Sequence, residues 1–210
     1  MKPKILIFDF DGVICDSVHV KTAAFIELYK QYGESVQDEV KKYHLKYGGI
    51  SRYEKIKYFQ SELLGLNTTD ETVNEIAKQF SNLVKEKVIT SPFINGAKEF
   101  IKKQSLNFSQ FICTGTPELE MIEILNRRGL KNFFTEVYGS PKTKIEIIYK
   151  ILKESKLSPK NCLFFGDSMT DYMAAKKCSV NFIGIQNNET CFPEGTILVK
   201  DFTELDKRFI

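Results

Sequence analysis

The pattern that most restricts this chain is a series of short apolar runs, each broken abruptly by a polar turn. The first is Ile5-Leu6-Ile7-Phe8, ended by Asp9-Phe10-Asp11-Gly12. Phe111-Ile112-Cys113, Val137-Tyr138, Leu163-Phe164-Phe165, Phe182-Ile183-Gly184-Ile185 and Ile197-Leu198-Val199 repeat the form. A run this short with no polar alternation reads as a strand buried on both faces, which requires helices above and below a parallel sheet. The segments between the runs carry helical stripes. Ala97, Phe100 and Ile101 share one face, as do Ile145, Ile148, Tyr149 and Leu152. From about residue 92 onward strand and helix alternate, so the expected class is α/β with a doubly wound, mainly parallel sheet.

The stretch 17–89 breaks that rhythm. It holds no strand run, whereas Phe25, Leu28, Tyr29 and Tyr32 form one helical stripe and Leu63-Leu64 and Ile76-Ala77-Phe80 indicate others. The expected organisation is a core of residues 1–16 and 90–210 with a helical insertion over 17–89. Pro92 stops the last inserted helix near Thr90-Ser91. The two crossings then lie side by side as a two-stranded hinge. Tyr29, Tyr32, Tyr43, Tyr47, Tyr53 and Tyr58 all fall in the insertion. They read either as packing at helix seams or, for one or two, as substrate contacts.

Composition removes several function classes. Thirty basic and 27 acidic residues leave a net charge of +3, and the densest basic patches are the pairs Lys41-Lys42 and Lys102-Lys103. A nucleic-acid partner would need a clustered excess, so none is expected. No apolar run approaches the roughly 20 residues that span a bilayer, so no membrane partner is expected. Met1-Lys2-Pro3-Lys4 leads into an apolar stretch too short for a secretory signal, which makes a cytoplasmic location the expectation. Cys15, Cys113, Cys162, Cys178 and Cys191 show no CxxC spacing, and only two His are present. A zinc site or disulfide framework is therefore not expected, and Cys113 and Cys162 read as small buried residues. Monomer and homodimer are both open.

In open α/β sheets, ligands bind beyond the carboxyl ends of the strands. The residues that follow the apolar runs are Asp9 and Asp11, then Thr114-Gly115-Thr116, then Lys142 and Lys144, then Gly166-Asp167-Ser168 with Asp171. Asp9 and Asp11 repel at this spacing, so a cation must offset them, and Mg²⁺ prefers oxygen ligands. The alternative is a pair of turn acids closed by Gly12. Thr114 leaves its strand directly, and its hydroxyl with the backbone N–H groups around Gly115 suits a phosphate. Thr116 before Pro117 reads as a helix N-cap. Either lysine is a cation at the rim or a surface residue. Asp171 follows Asp167 by one helical turn, and the pair reads as metal ligands or as acids complementing a helix dipole.

These segments together resemble the haloacid dehalogenase-like hydrolase superfamily. Phe8-Asp9-Phe10-Asp11-Gly12-Val13 matches its first motif, Thr114 its second, a lysine before a helix its third, and Gly166-Asp167-Ser168 with Asp171 its fourth. The resemblance implies a Rossmann-like core and gives Asp9 the role of nucleophile, forming an aspartyl-phosphate. It makes Asp11 the acid that protonates the leaving oxygen and the base that then deprotonates water. It places Mg²⁺ on Asp9, the backbone carbonyl of Asp11, and Asp167, with Asp171 orienting the metal's waters or the lysine. Thr114 would bind phosphoryl oxygens and Lys144 would offset their charge, although Lys142 fits another form of the motif. Aspartate at position 11 points to phosphatases and phosphomutases within the superfamily.

The insertion resembles the family's helical cap of the first type, and the short Thr114-to-Lys144 interval leaves no room for a second cap. Gly49-Ile50-Ser51-Arg52 resembles a cap loop that reaches the active site. Arg52 suits a second anionic group on the substrate, unless Ser51 merely caps a helix and Arg52 faces solvent. Lys55 is a further candidate. The implied activity is Mg²⁺-dependent hydrolysis of a small phosphorylated metabolite, similar to phosphoglycolate phosphatases. The alternative is a sugar-phosphate mutase similar to β-phosphoglucomutases.

Overall fold

A computed structural model describes residues 3–187 and 190–205. Met1 and Lys2, on which the reading of the N-terminal segment partly rests, lie outside the described residues. β1 (Ile5–Phe8) occupies the middle of a six-stranded sheet, between β2 (Ser109–Pro117) and β4 (Cys162–Gly166). β3 (Glu136–Ser140) lies outside β2, and β5 (Asn181–Ile185) and β6 (Leu198–Val199) lie outside β4. Every pairing is parallel, with Phe8 between Ile112 and Phe165. The last run is shorter than expected, since Ile197 is left out of β6. The second is longer, since β2 continues through Thr114-Gly115-Thr116 to Pro117.

Four helices interrupt the sheet between β1 and the rest: α1 (Val18–Tyr29), α2 (Glu34–Lys46), α3 (Arg52–Tyr58) and α4 (Asp70–Thr90). The helix α3 runs into a π-helical turn at Phe59–Leu63. Four more cover the sheet: α5 (Ala97–Gln104), α6 (Glu118–Arg127), α7 (Lys144–Ser155) and α8 (Met169–Lys177). Successive residues of β1 point to opposite faces and feed two apolar clusters. Leu6 and Phe8 belong to one with Phe100 and Phe165, and Ile5 and Ile7 to the other with Ile147 and Phe164. Phe8 stacks on Phe165 with centroids 5.0 Å apart, so the strand carrying the first acids is packed on both sides. Cys113 and Cys162 are buried free thiols, as read.

The insertion has its own aromatic centre. Phe25 packs on Phe80 at 4.1 Å between centroids, and Tyr29 on Phe59 at 5.2 Å. Tyr43 stacks on Tyr58 at 3.9 Å. The tyrosines therefore serve the helix seams, and among the described residues none lines the cavity discussed below. The chain enters and leaves the insertion through adjacent segments. Asp16 N donates to Pro92 O at 2.9 Å, and Ile94 N to Ile14 O at 3.0 Å. Among the described residues no helix is long and apolar enough to cross a membrane.

Candidate active site

Asp9 leaves the end of β1 with its carboxylate fixed at both oxygens. Oδ1 accepts from Phe10 N at 2.6 Å, and Oδ2 accepts from Lys144 Nζ at 2.6 Å. Lys144 opens α7 behind a capping box of Thr143 and Glu146, which aims its side chain inward. The same ammonium donates to Asp171 Oδ1 at 2.5 Å. Asp171 is itself clamped within the first turn of α8, its Oδ2 accepting from Ser168 Oγ at 2.5 Å and Ser168 N at 3.2 Å. Of the two candidate lysines, the structure brings Lys144 to the acids. Lys142 is half-exposed, 3.9 Å from Glu118.

Carboxylate oxygens of Asp9, Asp167 and Asp171 lie within 4.8 Å of one another, and all three residues are buried. Burial, opposed by Lys144 and reinforced by Asp171 and Asp11, lifts the Asp9 carboxyl to about 6. Burial, with Asp171 and Asp9, pushes Asp167 well above the ordinary carboxylate range. Lys144 moves the other way: desolvation would lower it, but the two aspartates beside it raise it. Three carboxylates against one ammonium leave about two negative charges uncompensated when all are ionised. A hard divalent cation fits that donor set, which is all oxygen and lacks the nitrogen and sulfur that softer metals prefer. Gly12 shows how tightly the set is built: with φ at +75°, a Cβ there would lie 2.0 Å from Asp167 Oδ2.

The side chain of Asp11 faces elsewhere. Its Oδ1 accepts from Ser17 Oγ at 2.6 Å and its Oδ2 from Lys21 Nζ, and Lys21 also donates to Thr116 Oγ1 at 2.7 Å. Burial would raise the Asp11 carboxyl, but Lys21, Ser17 and Arg52 outweigh it and hold it below its ordinary value. The Asp11 carboxylate is therefore not part of the Asp9, Asp167 and Asp171 cluster. One expectation changes here. Thr116 is not a helix N-cap, because β2 runs past it and Pro117 precedes α6; its hydroxyl meets Lys21 and Asp11 instead. Lys21 was not foreseen. It lies on α1, 10 residues beyond Asp11, inside a stretch read only for apolar stripes.

Beside these groups is a cavity of about 760 Å³, lined by Thr114, Gly115 and Asp167 from the strand ends and by Gly49, Lys55 and His44 from the helical insertion. Thr114 is buried, and its Oγ1 accepts from Thr116 N at 3.2 Å. A Cβ on Gly115 would lie 2.5 Å from Gly49 O, and one on Gly49 would lie 2.7 Å from Lys144 Nζ. The Gly49-Ile50 loop thus sits directly on the strand ends. Ser51 caps α3 by accepting from Glu54 N at 3.3 Å. Arg52 borders the cavity but does not face solvent: it is 4% exposed, and its guanidinium binds Glu120 of α6 at 2.6 and 2.8 Å.

The residues 6–185 match the sequence model of the haloacid dehalogenase-like hydrolases. The chain belongs to this family. As a haloacid dehalogenase-like hydrolase it is 27% identical over 187 residues to the phosphorylated carbohydrates phosphatase of Thermotoga maritima, covering 85% of this chain and 82% of that protein. It is 22% identical over 191 residues to the phosphoglycolate phosphatase of Pseudomonas putida, covering 87% of this chain and 69% of that one. Its fold superposes on β-phosphoglucomutase of Clostridium difficile with a TM-score of 0.80 at 20% identity, over 99% of this chain and 95% of the other. The hydrolase therefore has the expected α/β class, a doubly wound parallel sheet.

Proposed function

We propose that the chain is a Mg²⁺-dependent phosphatase of a small phosphorylated metabolite, with residues 17–89 acting as a cap over a core of 1–16 and 90–210. The observation that carries this reading is the triad of buried carboxylates with Lys144, lying at the foot of a cavity walled by Thr114 and Gly115. The family and the relatives named as phosphatases support it.

Asp9 is the nucleophile, because both its oxygens are oriented and its strand is immobilised. Its free lone pair attacks phosphorus, and the bond from phosphorus to the leaving oxygen breaks. That oxygen takes its proton from the Asp11 carboxyl, which has received it along the hydrogen bond from the Lys21 ammonium, so that Asp11 is left as the carboxylate that next accepts a proton from water. Water then attacks the aspartyl-phosphate, its proton returns to the same cluster, and inorganic phosphate leaves Asp9 restored. Asp9, the Asp11 carbonyl and Asp167 would hold Mg²⁺, which would supply charge neutralisation for the phosphoryl group. Asp171 fixes Lys144, and Thr114 with the Gly115 backbone receives the phosphoryl group.

The test is phosphate release from sugar phosphates, phosphoglycolate and nucleotides, with Mg²⁺ and with EDTA, beside Asp9→Asn. Release that requires both Mg²⁺ and Asp9 is expected. Release that survives Asp9→Asn would overturn the mechanism. A long-lived aspartyl-phosphate discharged only by a second sugar phosphate would transfer the assignment to a mutase.

A further inference from the structure

Among the described residues three cations are buried: Arg52, Lys55 and Lys144. Arg52 binds Glu120, and Lys144 binds Asp9 and Asp171. Lys55 alone has no carboxylate at ion-pair distance. Its ammonium meets His44 Nδ1 at 2.8 Å and His44 O at 3.4 Å, with the Phe25 ring centroid 5.9 Å away. An ammonium has three N–H donors, and His44 accepts two. Both residues line the same cavity as Asp9 and Thr114.

We propose that Lys55, positioned by His44, is a second anion subsite that receives a carboxylate or a further phosphate on the leaving group of the substrate. This rests on the phosphomonoester reading above and adds to it the class of leaving group. A buried ammonium without an anion is costly, so the amine gives up its proton readily in the free protein, and an anionic ligand beside it would hold it charged. The electrostatics agree. Burial, with the charges of Lys21 and Lys144, pulls the Lys55 amine down to about 7, against the weaker effect of Asp11 and Asp167. Burial and Lys55 push His44 far below its ordinary value, so the imidazole is neutral and accepts through Nδ1. Arg52 cannot serve equally well, because its fork is already occupied by Glu120.

Three probes that cannot be hydrolysed decide the matter in calorimetric titrations with MgCl₂: 3-phosphonopropionate, ethylene-1,2-bisphosphonate and propylphosphonate. They present the same phosphonate with a carboxylate, a phosphonate or a methyl at the far end. The full-length protein is expected to bind one of the two charged probes about tenfold more tightly than propylphosphonate. Whichever charged probe is preferred identifies the group. Lys55→Met and, as a milder change, Lys55→Gln are expected to erase that preference. A preference that persists in both variants, no preference in the unaltered protein, or no binding of any probe overturns the subsite. Lys55-dependent preference without hydrolysis of the matching esters would retain the subsite and remove the phosphatase reading. Ester hydrolysis without the preference would do the reverse.

Discussion

Arg52 and Glu120 meet fork to fork, Nη1 to Oε2 at 2.8 Å and Nη2 to Oε1 at 2.6 Å, and join the helical insertion to α6. Ser81 of α4 closes the cluster by donating to Glu120 Oε2 at 2.7 Å. Their side chains are only 3% and 10% exposed, so each would be a buried, unpaired charge without the other. Glu120→Ala is therefore expected to cost about 3 kcal/mol in urea unfolding. A cost like that of an exposed pair, under about 1 kcal/mol, would mean that water screens the contact. Arg127–Glu86, farther along the same seam and largely exposed, is the internal control.

Gly115→Ala tests how closely the Gly49-Ile50 loop rests on the strand ends. The new methyl would lie 2.5 Å from Gly49 O and 3.0 Å from Ile50 O, both backbone atoms that cannot rotate aside. The loop must lift, and kcat/KM should fall by about tenfold or more while the unfolding midpoint barely moves. Unchanged kinetics would show that the loop stands clear of Gly115 in solution.

Asp167→Asn removes one of three crowded carboxylates and keeps its shape. Without Mg²⁺ the variant should be more stable than the unaltered protein by about 1 kcal/mol, since repulsion with Asp9 and Asp171 is relieved. It should also lose any rise in melting temperature on adding Mg²⁺. A full Mg²⁺-induced rise in the variant would take Asp167 out of the ligand set.

Lys55→Met should show a pH-dependent gain. The Lys55 amine lies at about 7 in the fold and has an ordinary value of 10.5, so between these the unfolded chain binds more protons at this site. Stability from this group therefore rises with pH, is complete above 10.5, and is lost as pH falls through about 7. The groups that set this balance are His44 on α2, Lys21 on α1, Lys144 on α7, and Asp11 and Asp167 at the strand ends. The variant should exceed the unaltered protein in stability most clearly near pH 6, by a few kcal/mol at about 1.4 kcal/mol per shifted unit. The two should converge in alkaline solution. A gap that stays constant with pH would refute the depressed amine.

The strand ends were legible because their signals are local: an apolar run, then an acid, a hydroxyl or a lysine. Asp9 and Asp167 stand within two residues of such a junction and Lys144 four residues beyond the end of β3, and the sheet brings the junctions to one rim. Thr116 was misread because Pro117 favours a helix start locally, while pairing with β3 carries β2 one residue beyond Thr116. Lys21 and His44 left no such signature, and Lys55 drew notice only through its nearness to Arg52. Their meaning arises only when α1, α2 and α3 fold together, and no spacing within one helix encodes that meeting. Arg52 was noticed for its charge, but its partner Glu120 is 68 residues away and has no motif of its own.

The bridge between Cys15 and Phe93, with the hydrogen bonds beside it, brings the two ends of the helical insertion together before either reaches the sheet. Topologically the insertion is a bead on a pinched loop. A short turn joining those two segments would leave β1, β2 and β4 in register. Lengthening or exchanging the bead would alter what the cavity admits without rethreading the sheet. Under the cap assignment proposed above, selectivity and chemistry can diverge at different rates along one polypeptide.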